Sequence, residues 1–278
     1  MQRTPALPYH SDRPKCILPI PRHKLQGKRA LVTAGAQGIG LAISRQLLAV
    51  GCDVFVHYRT SANAARELES EAKALGRRYA HAAADLTDPR ECERLVSEAA
   101  MVLGGLDVLM NNAGSLIARK TLADADDEFW AEVMSLNLGS ARRVTRAAAP
   151  HLIAAAKTGG GASIVNLSSL AGRKGGHPGS LVYSTAKGAI LTFTRALANE
   201  LGPQGVRVNA LAPGMILGTS FHNTHTTPES AKATVAGIPL GRGGNADDVA
   251  RAAVFLASEY DGFITGATLD INGGVYAA

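Results

Sequence analysis

Residues 29–58 read RALVTAGAQGIGLAISRQLLAVGCDVFVHY, and this stretch decides the fold. RALVTA at 29–34 is a short apolar run of the kind a buried strand needs, and DVFVHY at 53–58 is a second. The segment from Gly38 to Val50 reads as a helix between them. Strand, helix and strand with such short connections make a βαβ unit, whose two strands run parallel. The turn between the first strand and its helix is TAGAQGIG, Thr33 to Gly40. Its glycines permit a tight bend, and the helix N-terminus offers unpaired N–H groups and a positive dipole end to a pyrophosphate.

The same alternation continues along the chain. The pattern predicts a helix from about Ala62 to Leu75, a strand over RYAHAAAD, a helix from about Pro89 to Met101 and a strand over LDVLMNNA. Residues 126–156 predict two helices, the second being LNLGSARRVTRAAAPHLIAA. SIVNLS predicts a strand, 181–201 a helix, VRVNALA at 206–212 a strand, 246–258 a helix and TLDIN at 268–272 a last strand. The strands are apolar and β-branched, as strands covered on both faces must be. No Pro/Gly/Ser linker or internal repeat divides the chain. The expected fold is a single-domain α/β Rossmann-type doubly wound sheet of about seven parallel strands, over residues 27–278, after an irregular N-terminal arm of residues 1–26. Two segments, GRKGGHPGSL at 172–181 and the region 213–245, follow predicted strands, where open α/β sheets place their sites. The latter contains PESAKATVAG, read as a short mobile helix over the site.

Composition narrows the function. The 278 residues carry a formal net charge of +6. Arg3, Arg13, Lys15, Arg22 and Lys24 against Asp12 place +4 of it (5 − 1) before residue 27, leaving +2 (6 − 4) for the rest. The body is nearly neutral and has no basic run suited to a phosphate backbone, so no nucleic-acid partner is expected. Cys16, Cys52 and Cys92 are an odd, widely spaced set without CxxC, which suits reduced thiols in a cytoplasmic protein. No apolar stretch is long enough to cross a membrane, and the first 26 residues hold five prolines without an apolar signal core. His222 and His225 lack a carboxylate or cysteine at ligand spacing, so no metal is expected.

The end of the second strand, HYRTS, separates two kinds of nucleotide. An acid there would bond a ribose diol; the chain offers Tyr58 and Arg59, with the hydroxyls of Thr60 and Ser61 beyond. Arginine meets a 2′-phosphate in a fork, which favours NADP(H) over NAD(H). Asp85, closing the third strand before Leu86, is placed to accept from an adenine amino group. NNAG, Asn111 to Gly114, closes the fourth.

TAGAQGIG, Asp85, NNAG, Asn137, NLSS at 166–169, YSTAK at 183–187 and PG at 213–214 occur in this order, and FITGATLDINGG closes the series at 263–274. Together they resemble the classical short-chain dehydrogenase/reductase family, with likeness to the ketoacyl-carrier-protein reductase and sugar/polyol dehydrogenase subgroup. The resemblance covers about residues 27–274 and implies a dinucleotide site formed by Gly35, Gln37, Gly38, Ile39, Gly40, Tyr58, Arg59, Thr60, Ser61, Asp85, Leu86, Asn112, Ala113, Gly114, Tyr183, Lys187, Pro213, Gly214, Ile216 and Thr219. It also implies a homotetramer built through the 137–156 and 181–201 helices. Two departures stand out. The family's turn begins Thr-Gly, where this chain has Thr33-Ala34; Ala34 is acceptable at negative φ and strained at positive φ. The family's Thr five residues after the Pro of PG is Gly218 here, with Thr219 one later.

The resemblance assigns Ser169, Tyr183 and Lys187 as the active set, with Asn137 as a fourth member supporting a water beside Lys187. The residues argue in the same direction, since Tyr183 and Lys187 lie one helical turn apart on a shared face. A phenol titrates at about 10; a neighbouring cation favours the phenolate, as does the positive nicotinamide of an oxidised cofactor, and a lowering by about 3 units represents about 4 kcal/mol. Tyr183 would then exchange a proton with a carbonyl or alcohol oxygen, and Ser169 would bond the same oxygen. The expected function is NADP(H)-dependent hydride transfer to or from a small carbonyl or alcohol substrate. The alternative is a nucleotide-binding regulatory protein of this fold with little turnover. Gly175, Gly176, His177 and the region 217–240 are expected to shape the substrate pocket; no aromatic stripe demands a steroid, and no basic cluster demands a phosphorylated sugar.

Overall fold

The computed structural model describes residues 25–219, 224, 226–258 and 262–277. Almost all of the expected arm, and with it Cys16, lies outside the described residues. Seven parallel strands, β1 (Arg29–Val32), β2 (Asp53–Tyr58), β3 (Tyr79–Ala83), β4 (Val108–Asn111), β5 (Ala162–Leu167), β6 (Val206–Pro213) and β7 (Thr268–Ile271), form one sheet in the order β3-β2-β1-β4-β5-β6-β7. The chain runs outward from β1 one way, then returns to build the other half from β4. This reversal opens a crevice between the C-terminal ends of β1 and β4, the place where doubly wound sheets take their ligands.

Alternation along the strands fills two cores. Val32, Val54 and Val56 face a layer made by α1 (Gly38–Ala49), α2 (Ala62–Ala74) and α9 (Ala246–Ala257). Leu31 and Phe55, from the intervening positions, face α3 (Pro89–Leu103), α5 (Ser140–Ala155) and α7 (Leu181–Leu201). The central strands therefore have no wet side. Each fully buried Leu, Ile or Phe there contributes about 2 kcal/mol by leaving water.

Local chemistry sets the helix ends. Asp88 caps α3 by accepting from the N–H of Arg90, with Pro89 in the first turn, and Gly104 ends that helix at φ 78°. Asn245 and Asp248 form a reciprocal capping box at the start of α9. The two helices expected over 126–156 are one continuous run. α4 (Asp127–Met134) passes through a π-helical turn, Ser135–Gly139, into α5. The loop expected at 172–181 begins as a short helix, α6 (Leu170–Lys174), capped by Ser169. PESAKATVAG forms α8 (Pro228–Ala236), none of whose residues is buried.

Candidate active site

The C-terminal ends of β1, β4, β5 and β6 open on a cavity of about 770 Å³. Gln37, Gly38 and Ile39 line its nucleotide end, with Asn112 and Gly114 after β4. Pro213, Gly214, Ile216 and Thr219 line it after β6, and Ser169, Tyr183 and Lys187 complete the wall. Gly35, Gly40, Tyr58, Arg59, Thr60, Ser61, Asp85, Leu86 and Ala113 follow the ends of β1 to β4 outside this cavity.

The N-terminal residue of α1, Gly38, has φ 49°, and its N-cap, Gln37, makes no side-chain cap bond. The helix's first N–H groups are thus left for an anion, and the residues present fit a dinucleotide phosphate. Other glycines of the turn serve packing. A Cβ on Gly35 would lie 2.9 Å from Ser44 Oγ, and one on Gly40 would overlap the Ala34 carbonyl oxygen. Ala34 has φ 48°, the strained alternative of the sequence reading. Its N–H donates to Nδ1 of buried His57 at 3.0 Å, and the His57 ring meets the Ala84 carbonyl through Nε2 at 3.0 Å. His57 therefore joins the glycine turn to the end of β3, a role its place in HYRTS gives no sign of.

At the end of β3, Asp85 accepts from both the hydroxyl and the N–H of Thr87, which hold its carboxyl below the usual range, helped by Arg59 and His57. Leu86 points its side chain into the core beside Cys92 and Leu95. Ser61 donates to Gln37, linking the β2 end to the start of α1. Thr219 is buried, donates to the Ile216 carbonyl and lies 3.7 Å from where a Gly38 Cβ would be. Gly218, which precedes it, has φ 73°.

Tyr183 is the third residue of α7, and Lys187 follows one turn later. The Tyr183 side chain is hydrogen-bonded to Ser169, and Lys187 Nζ lies 5.8 Å from the centre of its ring. Ser168 instead turns inward and donates to the Lys187 carbonyl at 2.6 Å. Lys187 Nζ donates to the Leu167 carbonyl at 2.8 Å. Asn137 sits inside the π-helical turn rather than at a helix start. Its amide donates to the carbonyls of Ser115 and Val133, and its oxygen accepts from the N–H of Ser115. A π turn adds a residue to the helix and so redirects a side chain, here toward the loop after β4. Asn137 Oδ1 and Lys187 Nζ crowd the same spot: a Cβ on Gly114 would lie 2.6 Å and 2.8 Å from them.

In the chain by itself, burial governs both groups of the pair. Burial pushes the Tyr183 phenol up to about 12, only partly opposed by the Ser169 bond, and pushes the Lys187 ammonium down to about 8. A lowered phenol is therefore not the state of the chain by itself. Desolvation of the oxygen outweighs the Ser169 bond, while the ammonium is itself buried and donates to the Leu167 carbonyl. Near neutrality the pair is a neutral phenol beside an ammonium.

A family profile described as enoyl-(acyl carrier protein) reductase matches residues 33–276. The chain belongs to the classical short-chain dehydrogenase/reductase family. A 3-oxoacyl-[acyl-carrier-protein] reductase of Haemophilus influenzae is 34% identical to this short-chain dehydrogenase/reductase over 252 residues, 91% of this chain and 99% of that one. Among solved structures, an NADH-dependent reductase responsible for alginate metabolism superposes with a TM-score of 0.84 at 35% identity, covering 91% of this chain and 99% of that one. A short-chain dehydrogenase from Burkholderia cenocepacia, in complex with NADP, superposes with a TM-score of 0.83 at 35% identity, covering 91% and 100%. The fold is thus that of an NAD(P)(H)-dependent dehydrogenase/reductase, and its relatives differ in which nucleotide they take.

Gly175, Gly176 and His177 line the cavity as the loop composition suggests, and Thr226, Ser230, Ala233, Thr234, Gly237 and Ile238 represent the 217–240 region. His222 and His225 lie outside the described residues. Among the described residues no cluster of potential metal ligands occurs, and no helix is long and apolar enough to cross a membrane. Lys174, Ser180 and Met215, within the two segments expected at the site, also line the cavity, and sequence reasoning passed over Leu116 and Arg119, which join them there. They come from separate loops, and no spacing in the chain announces that they meet.

Proposed function

We propose that this chain is an NADP(H)-dependent reductase of small carbonyl compounds, able to run in reverse as an alcohol dehydrogenase. The observation that carries the reading is the convergence of Ser169, Tyr183 and Lys187 on one cavity, with the serine and phenol hydrogen-bonded to each other. NADP(H) supplies or removes the hydride when bound. The uncapped start of α1 would hold its phosphates, Lys187 its nicotinamide ribose, and Arg59 its 2′-phosphate. Ser169 and Tyr183 would bond the carbonyl oxygen and fix the face presented to hydride. Tyr183, a neutral phenol at rest, gives its proton to that oxygen as the carbon accepts hydride. The Lys187 ammonium then stabilises the phenolate left behind, and Asn137 positions a route for the returning proton.

Replacing Tyr183→Phe removes the proton donor while keeping the ring. Turnover of a ketone panel with NADPH should fall by about 10²–10⁴-fold with nucleotide binding retained. Full turnover in the variant would rule out this assignment. The resemblance further supports a cytoplasmic homotetramer, in keeping with the buried free thiols of Cys52 and Cys92 and the partly exposed Leu181 on α7. Light scattering at micromolar concentration tests the assembly.

A further inference from the structure

The substrate end of the cavity carries charge of one sign. Arg119 comes from the loop after β4 and Lys174 from the end of α6. The two segments are joined. Arg119 Nη1 donates to the Pro178 carbonyl at 3.2 Å, the Lys120 N–H donates to the Gly179 carbonyl, and Lys120 and Ser180 form a parallel bridge. Between Leu116 and Arg119 the backbone makes a tight turn with Ile117 at φ 63°, a costly conformation for a β-branched residue. The Pro178 carbonyl holds the side chain of Arg119 at the mouth.

No aspartate or glutamate lines the cavity among the described residues. Glu229 follows the start of α8 beside the lining residue Ser230, yet it does not reach the wall. Lys174 makes no hydrogen bond or ion pair with another described residue, whereas many surface arginines of this chain, such as Arg45 and Arg94, are paired with glutamates. A concave wall of low polarity focuses the field of such cations on the space in front of them. The Ser230 hydroxyl adds a donor around the same opening, whereas those of Ser180 and Thr234 donate to the carbonyls of His177 and Ser230.

Granting that Tyr183 marks the reacting carbonyl, we infer that the substrate carries an anionic group, a carboxylate or a phosphate, which Lys174 and Arg119 receive at the mouth while its carbonyl lies against Ser169 and Tyr183. A neutral ketone of equal size fills the same space without this attraction. The charged group thus selects the substrate and the carbonyl defines the reaction.

Full-length protein saturated with NADPH is assayed on acetoacetate, levulinate and 5-oxohexanoate, each against its methyl ester. The series moves a carboxylate stepwise away from the carbonyl. At least one acid should exceed its ester in kcat/KM by about tenfold, with the ratio shrinking by severalfold between about 0.05 M and about 0.5 M salt. Lys174→Gln should lower the acid-to-ester ratio about fivefold, and Lys174→Arg should restore most of it. Esters matching or exceeding acids at every chain length would overturn the inference and leave the reductase reading intact. If no compound is turned over, the reductase reading fails, and calorimetric titration of the NADP-loaded protein with the three acids decides the inference. Saturable binding weakened by Lys174→Gln supports it, and absence of such binding defeats it.

Discussion

The ring of His57 accepts a hydrogen bond from the N–H of Ala34 through Nδ1 and meets the Ala84 carbonyl through Nε2. Only the neutral tautomer with its proton on Nε2 satisfies both partners. Burial lowers the His57 pKa from 6.5, the Ala84 carbonyl and Asp85 oppose that shift, and Arg94 adds to it. The folded chain therefore binds this proton more weakly than the unfolded chain. The stabilisation is complete above about 6.5 and is lost as pH falls through the depressed folded value. His57→Gln keeps a donor for Ala84 but strands the Ala34 N–H, and should cost about 1–2 kcal/mol near neutrality. Urea melts should show the gap between wild type and variant narrowing as pH falls below about 6.5 and through the depressed folded value.

Ala34 itself is strained. Glycine adopts φ 48° without the Cβ clash, a gain of about 1–2 kcal/mol set against the greater freedom of glycine in the unfolded chain. Ala34→Gly should raise the urea midpoint by an amount worth about 0.5–1 kcal/mol at unchanged slope. An unchanged or lowered midpoint would show that the turn bears no such strain.

Gly114 shows a different demand, for space rather than rotation. An added methyl would collide with Asn137 Oδ1 and Lys187 Nζ together. Gly114→Ala should lower kcat by at least about tenfold while secondary structure by circular dichroism is preserved. Wild-type kcat would mean these two side chains can give way freely.

The pH profile of carbonyl reduction should follow Lys187, not Tyr183. The ammonium is lost as pH rises through about 8, whereas the phenol keeps its proton to about 12. In the free enzyme kcat/KM should be level near neutrality and fall above about 8. A profile still rising at about pH 9 would remove Lys187 from its electrostatic role.

Arg59 is exposed at the end of β2, close enough to Asp85 to help hold that carboxyl ionised. Arg59→Ala should raise the KM for NADPH by at least about tenfold and that for NADH far less. Equal effects on the two would point to another residue as the reader of the 2′-phosphate.

The sheet was legible in the chain because buried parallel strands leave unbroken apolar runs, and α7 was read at its observed limits from YSTAK onward. Asn137 was noticed, but a π-helical turn leaves no mark in periodicity, so its setting inside a continuous helix was not foreseen. Tyr183 and Lys187 were assigned by the resemblance, with their one-turn spacing in agreement, while the direction of the phenol's shift depends on how many atoms exclude water around it, a property of the assembled fold. Arg119 and Lys174 are fifty-five positions apart (174 − 119), and only the pairing of two loops brings them to one opening.

That pairing has a mechanical side. The loops after β4 and β5 are laced together by main-chain bonds at Lys120 and Gly179, so neither swings without the other. Across the opening, α8 anchors no side chain in the interior and can lift at small energetic expense.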